Sequence, residues 1–205
     1  MKIKYILSRF PYAIRKRFKR GITLTIAVTW KCNLMCPKCA LACDGKMPKD
    51  SSSEIDWIGY IKTFPVKIKE IYLTGGEPHL YDKLIPLSNW ILDNGYMLTI
   101  FSNNTMIDKY LKIIQHRNLR FNITYYDGVH ETDKWLLNYK LLSKRHTVHV
   151  DEIESHVFYF SRTKPQTNDG KRKIPNKGHL RVGPDGQIYR SCFELSDSYK
   201  EHTND

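Results

Sequence analysis

The residues best suited to chemistry are bunched. Four of the five cysteines lie in the stretch Trp30–Cys43, "WKCNLMCPKCALAC". Their spacing is Cys32-x3-Cys36-x2-Cys39, with Cys43 four positions further on. Three thiols this close together suit a soft metal. Structural zinc usually takes two close pairs of ligands, and the chain has no second CxxC and no HxxxH. An iron–sulfur cluster normally takes four thiolates. Either three cysteines leave one iron open for something else, or Cys43 is the fourth ligand, and spacing alone admits both.

A second group follows in "LTGGEP", Leu73–Pro78. Gly75 and Gly76 let a backbone approach a ligand closely. Glu77 is acceptor-only when ionised and can hold or balance a cation, although a turn with a surface acid has the same spelling. "FSNN", Phe101–Asn104, adds Ser102 and Asn103, and Asn104 tolerates left-handed backbone. Thr124 and Tyr125 close another apolar run, where ordinary sheet-lining residues are an equally good reading. Cys192 stands alone, and a lone thiol is more often buried and inert than reactive.

The elements that must position these residues alternate. "GITLTIAVTW" (21–30) reads as a buried, β-branched strand with the cysteines at its C-terminal end. "SSSEIDWIGYIKTF" reads as a helix with a serine N-cap, "VKIKEIYLTGGEP" as a strand, and "KLIPLSNWILDNGY" as a helix stopped by glycine. "MLTIFSNN" is a strand, "IDKYLKIIQHRN" a helix, "LRFNITYYDG" a strand, "TDKWLLNYKLLSKR" a helix and "HTVHVDEI" a strand. A further strand is expected at 156–161, with no room for a helix before it. Repeated strand–helix order implies a parallel sheet with helices on its outer face. The chain is too short for an eight-fold barrel of about 250 residues. The expected fold class is therefore α/β, a partial (βα) barrel of about five or six parallel strands, open on one side. In such a sheet, ligands sit at the C-terminal strand ends, where the cysteine, GGEP and FSNN loops all emerge.

Three regions are expected: a basic amphipathic segment over 1–20, the barrel over 21–163, and a linker, hairpin and polar tail over 164–205. The hairpin is read in "HLRVGPDGQIYRSCFE", around Pro184-Asp185-Gly186. The 205 residues are 41% hydrophobic and 26% charged, enough for one packed domain. No run of about eighteen apolar residues marks a membrane span. The N-terminus has no apolar signal-peptide core, so a cytoplasmic location is expected. The formal net charge is +12, and no Asp or Glu precedes Asp44. Such a basic face suits nucleic acid, an anionic membrane or an acidic protein, or is simply a solvated surface.

"TWKCNLMCPKC" and "YLTGGEPHLY", in this order and after successive strands, resemble the two best-known motifs of the radical S-adenosylmethionine (radical SAM) superfamily. The resemblance covers roughly Thr23–Asp127. It implies an iron–sulfur oxidoreductase in which Cys32, Cys36 and Cys39 hold three irons of a [4Fe-4S] cluster and SAM chelates the fourth. Cys43 is then structural or free. It implies SAM binding by Gly75, Gly76 and Glu77, with Ser102, Asn103 and Thr124 nearby, and Tyr125 reaching ribose or substrate. It further implies reductive cleavage of SAM to a 5′-deoxyadenosyl radical that abstracts hydrogen from a substrate. An acidic one-electron donor of flavodoxin or ferredoxin type is the implied partner, and Lys31 and Lys38 in the cysteine loop suit its docking.

Two departures stand out. Lys38 replaces the aromatic residue many members carry before the third cysteine, which leaves Trp30 or Leu34 to pack adenine. The stretch "GPDGQIYRSC" is similar to the SPASM and twitch extensions of peptide-modifying members, but has only Cys192, with a hydrogen-donor or substrate role as its alternatives to inertness. That similarity favours a peptide or protein substrate. A lipid-linked or glycan substrate is the alternative, through the basic N-terminal segment on a membrane surface. The alternative from another class is a non-catalytic zinc module that binds nucleic acid.

Overall fold

The computed structural model describes residues 21–36, 39, 55–64, 66–126, 128–153, 179–183, 186, 188 and 189. Among these, seven strands form one sheet: β1 (Ile22–Ala27), β2 (Ile68–Thr74), β3 (Met97–Ser102), β4 (Leu119–Tyr126), β5 (Thr147–Ile153), β6 (His179–Val182) and β7 (Ile188–Tyr189). Their order is β5-β4-β3-β2-β1-β6-β7. All neighbours run parallel except β6 and β7, which are antiparallel. Three helices, α1 (Trp57–Lys62), α2 (Leu84–Asp93) and α3 (Thr132–Ser143), cross between β1 and β2, β2 and β3, and β4 and β5.

Strand alternation places the core. Ile22, Leu24 and Ile26 of β1, Ile71 and Leu73 of β2, Leu98 and Ile100 of β3, and Leu119, Phe121 and Ile123 of β4 are all buried in one apolar cluster. The same cluster holds Trp57 and Ile61 of α1, Leu84, Leu87 and Ile91 of α2, and Trp135 and Leu142 of α3. A branched side chain that leaves water here contributes about 1.5–3 kcal/mol, so the apolar stripe of each helix holds it to the sheet. The intervening strand residues, Thr25, Tyr72, Thr99 and Arg120 among them, share the other face in one register. This is the partial (βα) barrel expected from the sequence, with six parallel strands.

Three local expectations change. The serine run at 51–53 lies outside the described residues, and α1 is capped by Asp56, whose carboxylate accepts from Gly59 N–H at 2.9 Å. The helix expected from "IDKYLKIIQHRN" is a single 3-10 turn, Tyr110–Lys112. Tertiary contacts override helical spacing there. Tyr110 is fully buried and donates its hydroxyl to Glu77, while Asp108 pairs with His79 at 2.7 Å. The C-terminal hairpin is present, since Arg181 pairs with Tyr189 and Val182 with Ile188. It is not an appendage: β6 joins the main sheet parallel to β1, with Leu24 opposite Leu180. The expected strand at 156–161 and the N-terminal segment lie outside the described residues.

Candidate functional site

β1, β2 and β3 are neighbours, so the loops at their C-terminal ends stand side by side. The β1–β2 pairing continues beyond both strands. Val28 N–H donates to the Thr74 carbonyl at 2.8 Å, Gly76 N–H to Thr29 at 2.9 Å, and Glu77 N–H to Lys31 at 2.7 Å. The GGEP turn is thereby laced to the first residues of the cysteine loop. A Cβ on Gly75 would lie 3.1 Å from Thr29 N and closer still to its carbonyl; one on Gly76 would lie 2.7 Å from the Trp30 carbonyl and closer still to that of Lys31. Gly75 also has φ +142°. Both glycines thus permit a close approach of the cysteine loop's own backbone to the turn.

Cys32 and Cys36 are buried and Cys39 half-buried, and none of the three forms a disulfide. Trp30 is 1% exposed and packs with Ala27 and Cys32, with Leu34 and Cys39 against them. Trp30 is thus the floor of the loop, and Leu34 packs beside it. The Cys36 thiol is pushed up to about 12 by burial first, then by Cys39 and Cys32. The three sulfurs therefore share one electrostatic neighbourhood that opposes thiolate charge. A cationic metal centre is what reverses that opposition, because coordination deprotonates a thiol outright. No three His, Cys, Asp or Glu side chains are already drawn into a metal cage among the described residues. The donor set nonetheless fits an iron–sulfur group, being three reduced thiols on one loop with no disulfide between them.

Glu77 is 0% exposed. Its carboxylate accepts from Ser102 Oγ at 3.1 Å, Asn103 N–H at 2.8 Å, His79 N–H at 3.1 Å and the Tyr110 hydroxyl. Burial raises its pKa, and the hydrogen bonds from Tyr110, Asn103, His79 and Ser102 pull it back down. This saturated carboxylate joins the ends of β2 and β3. Ser102 also accepts from Asn104 N–H at 2.9 Å, and Asn104 has φ +59°, the left-handed geometry anticipated for it.

Asn103 faces the cysteines. Its Nδ2 donates to Asn33 Oδ1 at 2.9 Å and lies 4.0 Å from Cys32 Sγ, while its Oδ1 accepts from the Thr105 hydroxyl at 2.6 Å. Asn33 Nδ2 closes the ring by donating to Thr105 Oγ1 at 2.7 Å. Sequence reasoning found Asn103 but not Asn33 or Thr105.

The end of β4 departs most from expectation. The Tyr125 hydroxyl meets Thr132 Oγ1 at 2.9 Å, and its ring packs against Trp135 and stacks on His130. Tyr125 therefore serves the α3 side of the sheet. The Thr124 carbonyl accepts from Trp135 Nε1 at 3.3 Å. It is Tyr126 that feels the cysteines: its phenol pKa is raised by burial, then by Cys36, Cys39 and Cys32. Strand alternation was the signal for it, because Tyr126 shares a face with Thr124 and Tyr125 does not. His130, also missed, accepts from Tyr126 N–H at 2.8 Å through Nδ1. Cys43, Cys192 and Lys38 lie outside the described residues, while Lys31 is half-buried where the loop begins.

No protein-family model matches the sequence, and no curated protein matches it significantly. Solved structures do match. Streptococcus suis SuiB bound to S-adenosylmethionine aligns over 73% of this chain and 42% of its own, with a TM-score of 0.51 and 18% identity. SuiB bound to precursor peptide SuiA aligns over 67% of this chain and 35% of its own, with a TM-score of 0.52 and 18% identity. The likeness is one of fold, and this chain spans less than half the length of the SuiB chains.

Proposed function

We propose that this chain is a radical SAM enzyme, with Cys32, Cys36 and Cys39 holding a [4Fe-4S] cluster whose fourth iron takes SAM. When bound, that pair supplies reductive cleavage of SAM and a 5′-deoxyadenosyl radical that abstracts hydrogen from substrate. The observation that carries the reading is the convergence of three reduced thiols, the GGEP turn and Asn103 at the C-terminal edge of a parallel partial barrel. The fold likeness to a SAM-bound protein supports it.

The chain's own residues have separable tasks. Trp30 and Leu34 pack beneath the cysteines and keep water from one side of them. Gly75, Gly76 and Glu77 hold the cysteine loop against β2. Asn103 and Asn33 set the loop's outer wall, and the Tyr126 phenol feels the charge of the thiols. Cofactors carry the difficult chemistry in such enzymes, and the protein supplies this geometry.

The substrate is proposed to be a peptide or protein. The support is that SuiB, which shares the fold, takes a precursor peptide. The reductant is proposed to be an acidic flavodoxin or ferredoxin, with Lys31 close to its docking surface. Its steering would weaken steeply with salt.

Anaerobic reconstitution with iron and sulfide, dithionite reduction and assay for 5′-deoxyadenosine tests the proposal. The expected result is a brown protein with about four irons per chain that forms 5′-deoxyadenosine from SAM. A colourless protein that binds zinc and no iron would overturn it in favour of a structural metal module.

A further inference from the structure

Large apolar side chains left in water are unevenly spread over this fold. Among the described residues six are exposed, and four of them, Leu136, Leu137, Leu141 and Val150, belong to the two neighbouring elements α3 and β5. Each of the four is between 38% and 56% exposed, and such a concentration on one side of a molecule marks an interaction surface more often than scattered single residues do.

The topology explains the concentration. β4 and β5 pair in parallel, with Phe121 opposite Val148 and Ile123 opposite Val150. Phe121 and Ile123 are buried under the helices, so Val148 and Val150 lie on that same face. Val148 packs against the apolar cluster, as do Trp135, Tyr139 and Leu142 of α3. Leu137 and Leu141, one turn apart, form a second stripe on the helix that the cluster does not use. A further βα unit would lay its helix over this strip. Among the described residues β5 is instead followed by β6, which joins β1 on the other side of the sheet. That leaves β5 as the outermost strand. An outermost strand offers a row of backbone N–H and C=O groups to another strand.

β5 also matches itself. A two-fold axis at Val150 sets Val150 against its own copy in an antiparallel pair. It sets His149 against Asp151 of the copy, and symmetry makes that match twice. Directly opposed residues share a sheet face, and this condition is met. His149 stands opposite Asn122 and Asp151 opposite Thr124, so both lie on the face away from the helices, and both are exposed. Among the described residues neither side chain has a hydrogen-bond or ion-pair partner in its own chain. An imidazole carries an N–H that a carboxylate can accept in either protonation state of the ring, so the match does not require a charged His149. A pattern that complements itself under a two-fold points to a second copy, because an isologous interface needs exactly this property and an unrelated partner does not.

We propose that α3 and β5 form a two-fold interface between copies of this chain, with the β5 strands paired antiparallel about Val150 and the exposed leucines of α3 covered beside them. Seven residues at about 3.3 Å each make a strip roughly 23 Å long. One strand edge with one helix of about 10 Å beside it gives of order 400 Å² per copy, about half of a standard interface, so the association is weak and reversible. The antiparallel relation turns the two C-terminal sheet edges to opposite ends, which keeps both cysteine loops off the interface. Nothing in the proposal depends on the radical SAM reading.

Sedimentation velocity of the full chain, from low micromolar to several hundred micromolar, is the test. The expected result is a reversible monomer–dimer equilibrium with a micromolar dissociation constant. Asp151→Lys removes the acceptor opposite His149, and His149→Glu sets two carboxylates against each other. Each should weaken the dimer about fivefold or more, since every substitution acts twice. The double variant His149→Glu/Asp151→Lys opposes unlike charges again and should return to within about twofold of wild type. Leu137→Ser/Leu141→Ser should weaken the dimer while still melting cooperatively. Met35→Ser, which removes an exposed apolar side chain from the cysteine loop, should leave it unchanged. Amide exchange supplies a second readout: the outward amides of β5 should become more protected as protein concentration rises. A wild type that stays monomeric throughout overturns the proposal, as does a double variant no better than its two parents. Protection of β5 that is equal at every concentration would show the edge covered within one chain, for which the strand expected at 156–161 is the candidate, and would overturn it too.

Discussion

The backbone N–H of Asn103 donates to the Glu77 carboxylate over 2.8 Å, joining the end of β3 to the GGEP turn after β2. The Asn103 side chain then reaches Asn33 in the cysteine loop. One residue thus couples all three loops of the candidate site, and a disturbance of any one should be felt in the others.

Glu77→Ala leaves the donors from Tyr110, Ser102, Asn103 and His79 buried without their acceptor. Removing one partner of such a buried charged network costs about 3–5 kcal/mol. Glu77→Gln should cost less, since it keeps one oxygen but turns an amide N–H₂ toward donors. Urea denaturation of both variants decides this. A loss below about 1 kcal/mol for Glu77→Ala would mean that water replaces the carboxylate readily.

Gly76→Ala should lower both stability and iron uptake, because its Cβ meets the Lys31 and Trp30 carbonyls and pushes the cysteine loop off β2. Gly128→Ala is the comparison. Its Cβ meets nothing within 4 Å, so only its φ of +73° is penalised, at about 1 kcal/mol with normal iron content. Equal iron content in the two variants would show that the GGEP turn does not hold the loop.

Cys32→Ala, Cys36→Ala and Cys39→Ala should each lose the cluster after reconstitution, by iron and sulfide count. Cys43→Ala and Cys192→Ala should each keep about four irons, as a three-cysteine site requires. A large iron loss in Cys43→Ala would make it the fourth ligand.

Tyr126→Phe should retain iron, since a phenol is not needed as a ligand, but should alter the cluster's paramagnetic spectrum and weaken SAM binding several-fold. Tyr125→Phe, whose hydroxyl faces Thr132, should leave both unchanged. The reverse outcome would restore Tyr125 as the residue facing the cofactor.

Stability should fall as the medium becomes acidic. His79, His130 and His146 are each held below the ordinary imidazole pKa, burial being the largest cause. Below about pH 6.5 the unfolded chain takes up protons that these folded histidines refuse, so folding loses free energy as pH drops and regains it as pH rises. Glu77 has the opposite sign, because its raised pKa favours folding at low pH and that contribution fades as pH increases. Comparing wild type with His146→Gln cancels Glu77. The variant's melting temperature should fall less than that of wild type between about pH 7.5 and about pH 5.5. Identical slopes would mean that His146 titrates normally in the folded protein.

The sequence by itself determined what is written in local periodicity and spacing. The β-branched alternation of Ile22–Ala27 and the helical spacing of Leu84–Asp93 each need only near neighbours to be recognised, and the cysteine and GGEP motifs lie at strand ends that such patterns locate. Only the tertiary structure decided which partner each group would meet. The glycines of GGEP announce a close approach without naming the partner, and the packing brings the backbone of Thr29–Lys31 against them. The stretch after Ile107 has helical spacing, but the buried Tyr110–Glu77 bond and the Asp108–His79 pair are worth more than the propensity of a short helix. Glu77 reads as a surface acid until β3 brings Ser102 and Asn103 to it from about 25 residues away. Local patterns decide elements because their energies are local. Partners separated by tens of residues are set by the competition for buried space and buried hydrogen bonds, and that competition is resolved only when the sheet closes.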